Sequence, residues 1–201
     1  MNYQVILDKT LENLTSVPKL LLHACCAPCS SYVIEYLSNY FEITLLFYNP
    51  NIDTEEEYNY RYQELKRFIN EFKTKYPVHL VNLGYLKEEY EEIIPGLENE
   101  PERGKRCLKC YRLRLEKSFQ YAKEKHFDYI TTTLTLSPHK NSQVINNIGK
   151  ELEDLYQFPY LYSDFKKREG YKRSITLSHE YHLYRQDYCG CRFSKKKGQE
   201  E

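Results

Sequence analysis

Short apolar segments alternate with amphipathic ones along most of this 201-residue chain, and no other feature constrains its fold as strongly. Buried strands are predicted at residues 19–23, 43–48, 78–81 and 129–134, with a further short strand at 160–162. Helical patterns lie between them, at residues 31–40, 55–72, 87–94, 107–125 and about 142–156. Strands that alternate with helices indicate an α/β fold, with a mainly parallel sheet flanked by helices in a Rossmann-like arrangement.

Length and composition favour one domain. The chain is 41% hydrophobic and has no apolar run long enough to cross a bilayer. Asp8 and Glu12 precede the first apolar stretch, so the N-terminus lacks the basic flank and hydrophobic region of a signal peptide. We therefore expect a single catalytic domain over residues 1–201, with residues 192–201 as a flexible charged tail. We also expect it to reside in the cytoplasm, away from membranes.

Overall charge does not identify a partner, because 29 Lys and Arg residues balance 29 Asp and Glu residues. Any basic surface must therefore be local. A solvated loop is the default interpretation of a short basic run, and contact with nucleic-acid phosphates is the functional one. The richest such segment comprises Lys166, Lys167, Arg168, Lys172 and Arg173.

The ends of the predicted strands indicate where a site would form. In parallel α/β sheets, sites lie beyond the carboxyl ends of the strands. Cys25, Cys26 and Cys29 follow the first predicted strand, residues 49–53 follow the second, and residues 137–141 follow the fourth. We therefore expect these three segments to meet in one crevice.

The seven cysteines fall into three closely spaced groups. These are Cys25-Cys26-Ala27-Pro28-Cys29, Cys107-Leu108-Lys109-Cys110 and Cys189-Gly190-Cys191. Cytoplasmic thiols are kept reduced, so short spacings of this kind indicate metal binding or thiol catalysis rather than structural disulfides. The odd number of cysteines points the same way.

Each cysteine group has a simpler interpretation when taken alone. The first, after a strand and at a helix start, is typical of a thioredoxin-like dithiol. The second is typical of half a structural zinc site. The third can close a small strained disulfide, which favours a redox relay. Together, however, seven thiols exceed the needs of one dithiol or one zinc ion, whereas a four-thiolate iron–sulfur cluster with a separate redox pair uses six.

Short motifs spread over residues 19–194 resemble one enzyme family. They include Leu21-Leu22-His23-Ala24-Cys25-Cys26-Ala27-Pro28-Cys29-Ser30, Asn49-Pro50-Asn51-Ile52, Arg106-Cys107-x-x-Cys110-Tyr111, Thr132-Thr133-Leu134, Tyr171-x-Arg173-Ser174 and Leu183-Tyr184-Arg185-Gln186-x-Tyr188-Cys189-Gly190-Cys191. In content and order they resemble the epoxyqueuosine reductases of the QueH type, which complete queuosine synthesis at the wobble position of tRNA.

The resemblance implies a fold akin to the adenine-nucleotide alpha-hydrolases (HUP or PP-loop folds). Those enzymes hold ATP with a glycine-containing loop after the first strand, whereas residues 25–30 contain no glycine, so ATP chemistry is not expected. The implied reaction is removal of the epoxide oxygen of epoxyqueuosine in the tRNA anticodon loop, with electrons from an external one-electron donor. The implied site consists of a 4Fe–4S cluster on Cys25, Cys26, Cys107 and Cys110, with Cys189 and Cys191 as a redox-active pair.

The partition of the thiols stays open at this point. Cys25 and Cys26 must bend sharply to reach one cluster, because extended neighbours point apart. In the alternative, one of them joins Cys29, with or without a thiol of the Cys-Gly-Cys pair, at a second metal ion, an iron that acts on the epoxide oxygen as a Lewis acid.

Proton donors and competing functions also stay open. The candidates for supplying protons or orienting the substrate are His23, Tyr111, His139 and Arg185, although a structural role is an equal alternative for the two histidines. A zinc-stabilised tRNA-binding module without catalysis and a thioredoxin-like thiol reductase are the competing functions. Both leave several thiols without a role.

Overall fold

The computed structural model describes residues 1–195, which form four strands and seven α-helices. The strands are β1 Lys19–Ala24, β2 Glu42–Phe47, β3 Val78–Asn82 and β4 Tyr129–Thr132. The helices are α1 Tyr3–Glu12, α2 Ala27–Leu37, α3 Glu55–Glu71, α4 Lys87–Glu91, α5 Lys105–Glu124, α6 Ser142–Tyr156 and α7 Gly170–Glu180.

The four strands form one parallel sheet in the order β3-β2-β1-β4. Leu22 in β1 is aligned with Leu45 in β2 on one side and with Thr131 in β4 on the other. This confirms the predicted α/β fold with a parallel sheet. The strand order reverses between β1 and β4, and in open parallel sheets ligands bind beyond the carboxyl ends of the strands at such a point.

Side chains of the sheet alternate between two apolar layers, as the period of a strand requires. Leu20 and Leu22 of β1 pack with α1, α2 and α3, whereas Leu21 packs with α5 and α6. All three are fully buried. The sheet is therefore covered on both faces, and its carboxyl edge is left as the place for a site.

Several boundaries differ from those predicted, for local reasons. Helix α2 begins at Ala27 rather than residue 31, because Pro28 occupies the first turn, where a missing N–H costs nothing. β4 ends at Thr132, whose hydroxyl accepts a hydrogen bond from the Leu134 amide and starts a short 3-10 turn. The strand predicted at 160–162 reduces to one bridge between Tyr160 and Ile130.

Two helices were not predicted. Helix α1 is capped by Asn2, whose side chain accepts a hydrogen bond from the Gln4 amide. Helix α7 packs on α2 through Gly170, where a Cβ would lie 2.4 Å from the Tyr32 ring. The interpretation of the basic segment as a loop is therefore wrong for Lys172 and Arg173, which lie in α7.

The end of the chain is only partly described. Residues 192–194 form a 3-10 turn, in which the Phe193 ring lies under the guanidinium of Arg106 at 4.3 Å from the ring centroid. Most of the charged tail predicted for residues 192–201 falls on residues 196–201, outside the described residues. Among residues 1–195, no helix is both long and apolar enough to cross a membrane.

Candidate metal and redox site

Three thiols converge where β1 passes into α2. Cys26 is the extended residue before the helix, and its carbonyl accepts hydrogen bonds from the amide and the hydroxyl of Ser30. The sulfur atoms of Cys25, Cys26 and Cys29 all lie within 4.8 Å of one another, and those of Cys25 and Cys26 are 3.7 Å apart. The bend that the sequence demanded of the neighbouring pair is therefore present. We call these three residues the cysteine trio.

Each thiol of the trio shifts the pKa of the others. Hydrogen bonds from Cys26 and Cys29 hold the pKa of Cys25 well below its usual value, although burial opposes this. The same contact with Cys25 raises the pKa of Cys26 to about 12, and contacts with both neighbours raise the pKa of Cys29. The hydrogen bonds thus favour deprotonation of Cys25 over that of its two neighbours.

A cavity of about 360 Å³ opens directly in front of the trio. This volume lies within the usual range for small-molecule sites, which is roughly 300–1,000 Å³. Its wall contains the segment after β4 and a stretch of the C-terminal loop. Among its lining residues are Pro138, His139, Lys140, Arg185, Gln186 and Tyr188.

The other four cysteines line a second, smaller cavity of about 20 Å³. Cys107 and Cys110 lie in the first two turns of α5, and Cys189 and Cys191 come from the C-terminal loop. Cys189 lines both cavities, so the two spaces share a wall. Asn51 lines the smaller cavity, and residues 137–140 line the larger one. The predicted convergence of three segments at the carboxyl edge of the sheet is thereby confirmed.

The Cys-Gly-Cys segment is held in a tight loop. Gly190 has φ +102°, and a Cβ there would lie 2.9 Å from Ile52 and 3.1 Å from the guanidinium of Arg61. Its carbonyl accepts a hydrogen bond from the Asp53 amide at 2.9 Å, and the carbonyl of Cys189 accepts one from Arg61 at 3.2 Å. Glycine is therefore required both by the backbone conformation and by the close approach.

Each sulfur of this loop has its own hydroxyl partner. The sulfur of Cys189 lies 3.1 Å from the hydroxyl oxygen of Ser194, and the sulfur of Cys191 lies 3.0 Å from that of Tyr90. A hydrogen bond from Cys191 holds the pKa of Cys189 well below its usual value, whereas the same interaction raises the pKa of Cys191. The two thiols are free and chemically unequal.

Sequence reasoning gave no role to two cations at the centre of the site. Arg114 is 3% exposed and has no carboxylate partner among residues 1–195; its guanidinium donates to Asn49 and to Nε2 of His23. A buried cation needs a negative partner. Its charge favours deprotonation of both Cys25 and Cys110, but only the pKa of Cys25 is lowered overall, so Cys25 is the thiol that offers compensating negative charge. The four-residue spacing from Cys110, which places both on one face of α5, was the available signal.

Lys140 is the second cation. Burial lowers the pKa of Lys140, but the negative field of Cys189, Cys25 and Cys29 outweighs burial and the net shift is upward. It lines both cavities and therefore faces both groups of thiols. Its position just after β4, within a segment expected in the crevice, was the only sequence signal.

The candidate proton donors differ in their surroundings. His23 is fully buried, with Nδ1 2.8 Å from the Thr132 hydroxyl, and burial together with Arg114 lowers the pKa of His23 to about 3. This low pKa and these hydrogen bonds favour a structural role for His23 over proton donation. His139 and Arg185 line the larger cavity, and Tyr111 lines the smaller one.

The basic segment lies beside the larger cavity rather than in its wall. Tyr171 and Ser174 of α7 line that cavity. Lys167 is exposed. The other four cations form ion pairs: Lys166 with Asp164, Arg168 with Asp8, Lys172 with Glu169, and Arg173 with Glu35 and Glu180.

The donor set fits iron. Thiolates are the ligands of iron–sulfur clusters and also bind single soft ions. The sulfurs of the trio lie close enough together to bind a metal. The remaining thiols lie around the adjoining cavity, so both kinds of centre have donors available.

Comparison with known proteins places this site in a family context. The family model for epoxyqueuosine reductase QueH matches residues 20–197. The chain is 43% identical to the epoxyqueuosine reductase QueH of Streptococcus pyogenes, covering 97% of this chain and 80% of that protein. It is 40% identical to the protein of that name in Staphylococcus epidermidis, covering 98% and 87%, and 34% identical to the one in Thermotoga maritima, covering 87% and 89%.

Proposed function

This chain belongs to the epoxyqueuosine reductase QueH family, and from that premise we propose that it reduces the epoxide of epoxyqueuosine in tRNA to the alkene of queuosine. The observation that carries the proposal is the gathering of seven free thiols and two cations without carboxylate partners in residues 1–195 around two adjoining cavities of about 360 Å³ and 20 Å³. We propose the cytoplasm as its location, since thiols stay reduced there.

The reaction requires two electrons and two protons for each epoxide. Both carbon–oxygen bonds of the ring break, the carbons form a double bond, and the oxygen leaves as water. The Cys189 and Cys191 dithiol can supply two electrons and two protons when it closes to a disulfide. Two single-electron transfers from an external donor, with two protons, would then restore the dithiol.

We propose that Cys25, Cys26, Cys107 and Cys110 hold a 4Fe–4S cluster, with Cys29 available to a second iron. A cluster transfers electrons singly, and an open iron polarises an oxygen atom as a Lewis acid. The field of Arg114 on both Cys25 and Cys110 supports one shared centre, because a buried cation offsets the charge of several thiolates. Lys140 is placed to stabilise negative charge on an oxygen atom in front of the trio.

The proposal is tested with anaerobically purified protein, tRNA that carries epoxyqueuosine, and dithionite as reductant. We expect nucleoside mass spectrometry to show queuosine, with one oxygen atom fewer. Iron and sulfide quantitation on the same sample should give a cluster. Protein that contains zinc, lacks iron and leaves epoxyqueuosine unchanged would instead support the tRNA-binding module, and metal-free protein with full thiol–disulfide activity would support the thiol reductase.

The cluster ligands are tested on α5. Cys107→Ala or Cys110→Ala should abolish the visible absorbance of the cluster, because each removes one of four thiolates. Cys107 is half-buried and Cys110 is 7% exposed, so Ala is tolerated sterically at both positions. Unchanged iron content in both variants contradicts this ligand set.

We propose that the basic segment binds the tRNA backbone, since Tyr171 and Ser174 of the same helix reach the cavity wall. Replacing Lys167, Lys172 and Arg173 with Ala should raise the dissociation constant for tRNA and reduce the salt dependence by roughly one unit of slope for each phosphate that is no longer bound. The visible spectrum should not change. Equal affinity across a salt series would mean that the tRNA path lies elsewhere.

A further inference from the structure

The thiols are divided between two adjoining cavities. The trio and Cys189 face the larger cavity, where the substrate would sit. Cys107 and Cys110 do not line that cavity. They lie in the first two turns of α5 and line the smaller cavity. When RNA fills the larger cavity, an electron donor must approach from elsewhere. The α5 side is the alternative that the positions of the thiols provide.

The part of α5 that contains these two thiols also carries one exposed apolar side chain, Leu108. Leu108 lies between the two cysteines in sequence and is 38% exposed, which is unusual for a leucine in this molecule. Cys107 next to it is half-buried, and its sulfur accepts a hydrogen bond from the Arg103 amide at 3.3 Å. An exposed apolar residue next in sequence to a proposed cluster ligand offers a protein partner a contact that excludes water close to that ligand.

Positive charge surrounds this apolar residue. Lys105 lies three residues before Leu108 and four residues before Lys109, spacings that bring helix residues together, and Arg103 precedes the helix. All three cations are exposed, and none has a carboxylate partner within residues 1–195. Of the nearby acids, Glu100 accepts a hydrogen bond from the Lys105 amide at 2.8 Å, and the exposed Glu102 lies on the side of the two cavities.

We propose that Arg103, Lys105, Leu108 and Lys109 form the docking surface for a small electron-carrier protein with an acidic surface, which delivers electrons one at a time through Cys107 and Cys110. This inference rests on the proposed function. Electron-transfer encounters bury little area and rely on complementary charge for fast association. Three exposed cations without carboxylate partners in residues 1–195, close in sequence to one exposed leucine, match an acidic carrier. RNA has no need of the exposed apolar centre.

The test uses the iron-loaded protein and a reduced plant-type 2Fe–2S ferredoxin, which is acidic, as the probe. The variant is Lys105→Glu with Lys109→Glu. Its control is Lys66→Glu with Lys73→Glu, which makes the same change of net charge near α3, on the opposite face of the sheet. We expect the dissociation constant for ferredoxin, measured by biolayer interferometry at low salt, to rise at least tenfold in the variant and to stay unchanged in the control.

The rate of electron transfer gives a second measurement. In stopped-flow experiments the wild-type rate with ferredoxin should fall as salt rises, and the variant should lose most of that rate at low salt. Reduction by dithionite, which needs no docking surface, should be equal in all proteins. Leu108→Ser should weaken ferredoxin binding without changing its salt dependence, and it keeps the test valid if the charge variant does not fold.

The outcomes separate this inference from the function on which it rests. No ferredoxin binding to wild type at low salt, or equal binding and rates in the charge variant and wild type, overturns the docking surface. A loss of tRNA affinity in the variant with unchanged ferredoxin binding also overturns it, by showing that the surface binds RNA. Failure of the wild type to convert epoxyqueuosine even with dithionite would count against the function itself.

Discussion

The cysteine trio and the Cys-Gly-Cys loop both contribute to the wall of the larger cavity, but the sulfur atoms of the two regions have different partners. The three sulfurs of the trio have one another as neighbours, within 4.8 Å. In the loop, the sulfur of Cys189 has Ser194 as a partner and the sulfur of Cys191 has Tyr90. The first arrangement brings three metal donors together, and a bound cation would offset the negative charge of their thiolates. The second adds a hydroxyl partner for each thiol to the hydrogen bond between the two thiols, and their pKa values are shifted in opposite directions.

The two regions also differ in what holds them. The trio is positioned by one strand end and one helix start, within five residues of sequence. The loop is positioned by contacts from other elements: Arg61 in α3, Asp53 before it and Tyr90 in α4. Substitution in the trio should therefore change metal content. Substitution around the loop should change the stability of the protein and the reduction potential of the Cys189 and Cys191 pair.

The largest expected effect is in the trio. Cys26→Ala should lose nearly all iron and reduce turnover by more than about 100-fold, because it removes a proposed ligand, and even residues that only support ligands are worth about 10–100-fold in affinity. Cys26 is buried, so the melting temperature of the metal-free variant is the control for folding. Wild-type iron content in this variant would remove Cys26 from the ligand set.

The next effect is in the loop. Cys189→Ser and Cys191→Ser should keep the iron and the visible spectrum yet lose turnover, since the serine hydroxyl cannot form the disulfide that releases two electrons. Both variants are compared with wild type for iron content and for conversion of epoxyqueuosine. Loss of iron in either one would move that residue from the redox pair into the metal site and would erase the contrast between the two regions.

A smaller effect is expected on stability. Gly190→Ala combines a positive φ with contact to Ile52 and should cost about 1–3 kcal/mol. For a chain of this size each kcal/mol lowers the melting temperature by roughly 2–4 °C. Gly84→Ala is the matched control, because Gly84 has φ +88° but nothing within 4 Å of its added Cβ. Equal losses in both variants would show that tight packing around the loop is unimportant.

The smallest effect concerns the balance between dithiol and disulfide. Tyr90→Phe removes the hydroxyl 3.0 Å from the sulfur of Cys191, a hydrogen bond worth about 0.5–1.5 kcal/mol. Because that bond stabilises the reduced form, its loss should lower the reduction potential by roughly 10–30 mV. Thiol trapping in glutathione buffers measures this, with Tyr60→Phe, an exposed tyrosine, as the control. A rise in potential would contradict the assigned role of Tyr90.

Much of the architecture follows from local patterns in the sequence. The four strands that form the sheet were predicted to within a few residues, because buried strands are short apolar runs with clear boundaries. Helix α3 begins at Glu55 as predicted, since the hydroxyl of Thr54 accepts from the Glu57 amide. The trio could be placed at the carboxyl edge of the sheet for the same reason: strand end and helix start are adjacent in sequence.

The errors arose where no local pattern existed. Helix α7 carries charged residues and was interpreted as a loop, but its close approach to α2 at Gly170 makes it a helix in context. The segment at 160–162 had strand-like composition, yet it forms a single bridge, between Tyr160 and Ile130. In both cases the packing partner, which is distant in sequence, determined the conformation.

The sequence by itself determined the fold class, the grouping of the cysteines and the edge of the sheet on which they gather, because each depends on residues close together in the chain. Only the tertiary structure decided which thiols face which cavity. It also decided that Arg114, Lys140 and Tyr90 interact with them. Tyr90 and Cys191 are 101 residues apart in the chain. Contacts across such separations depend on how whole elements pack, and the local periodicity of the sequence does not predict them.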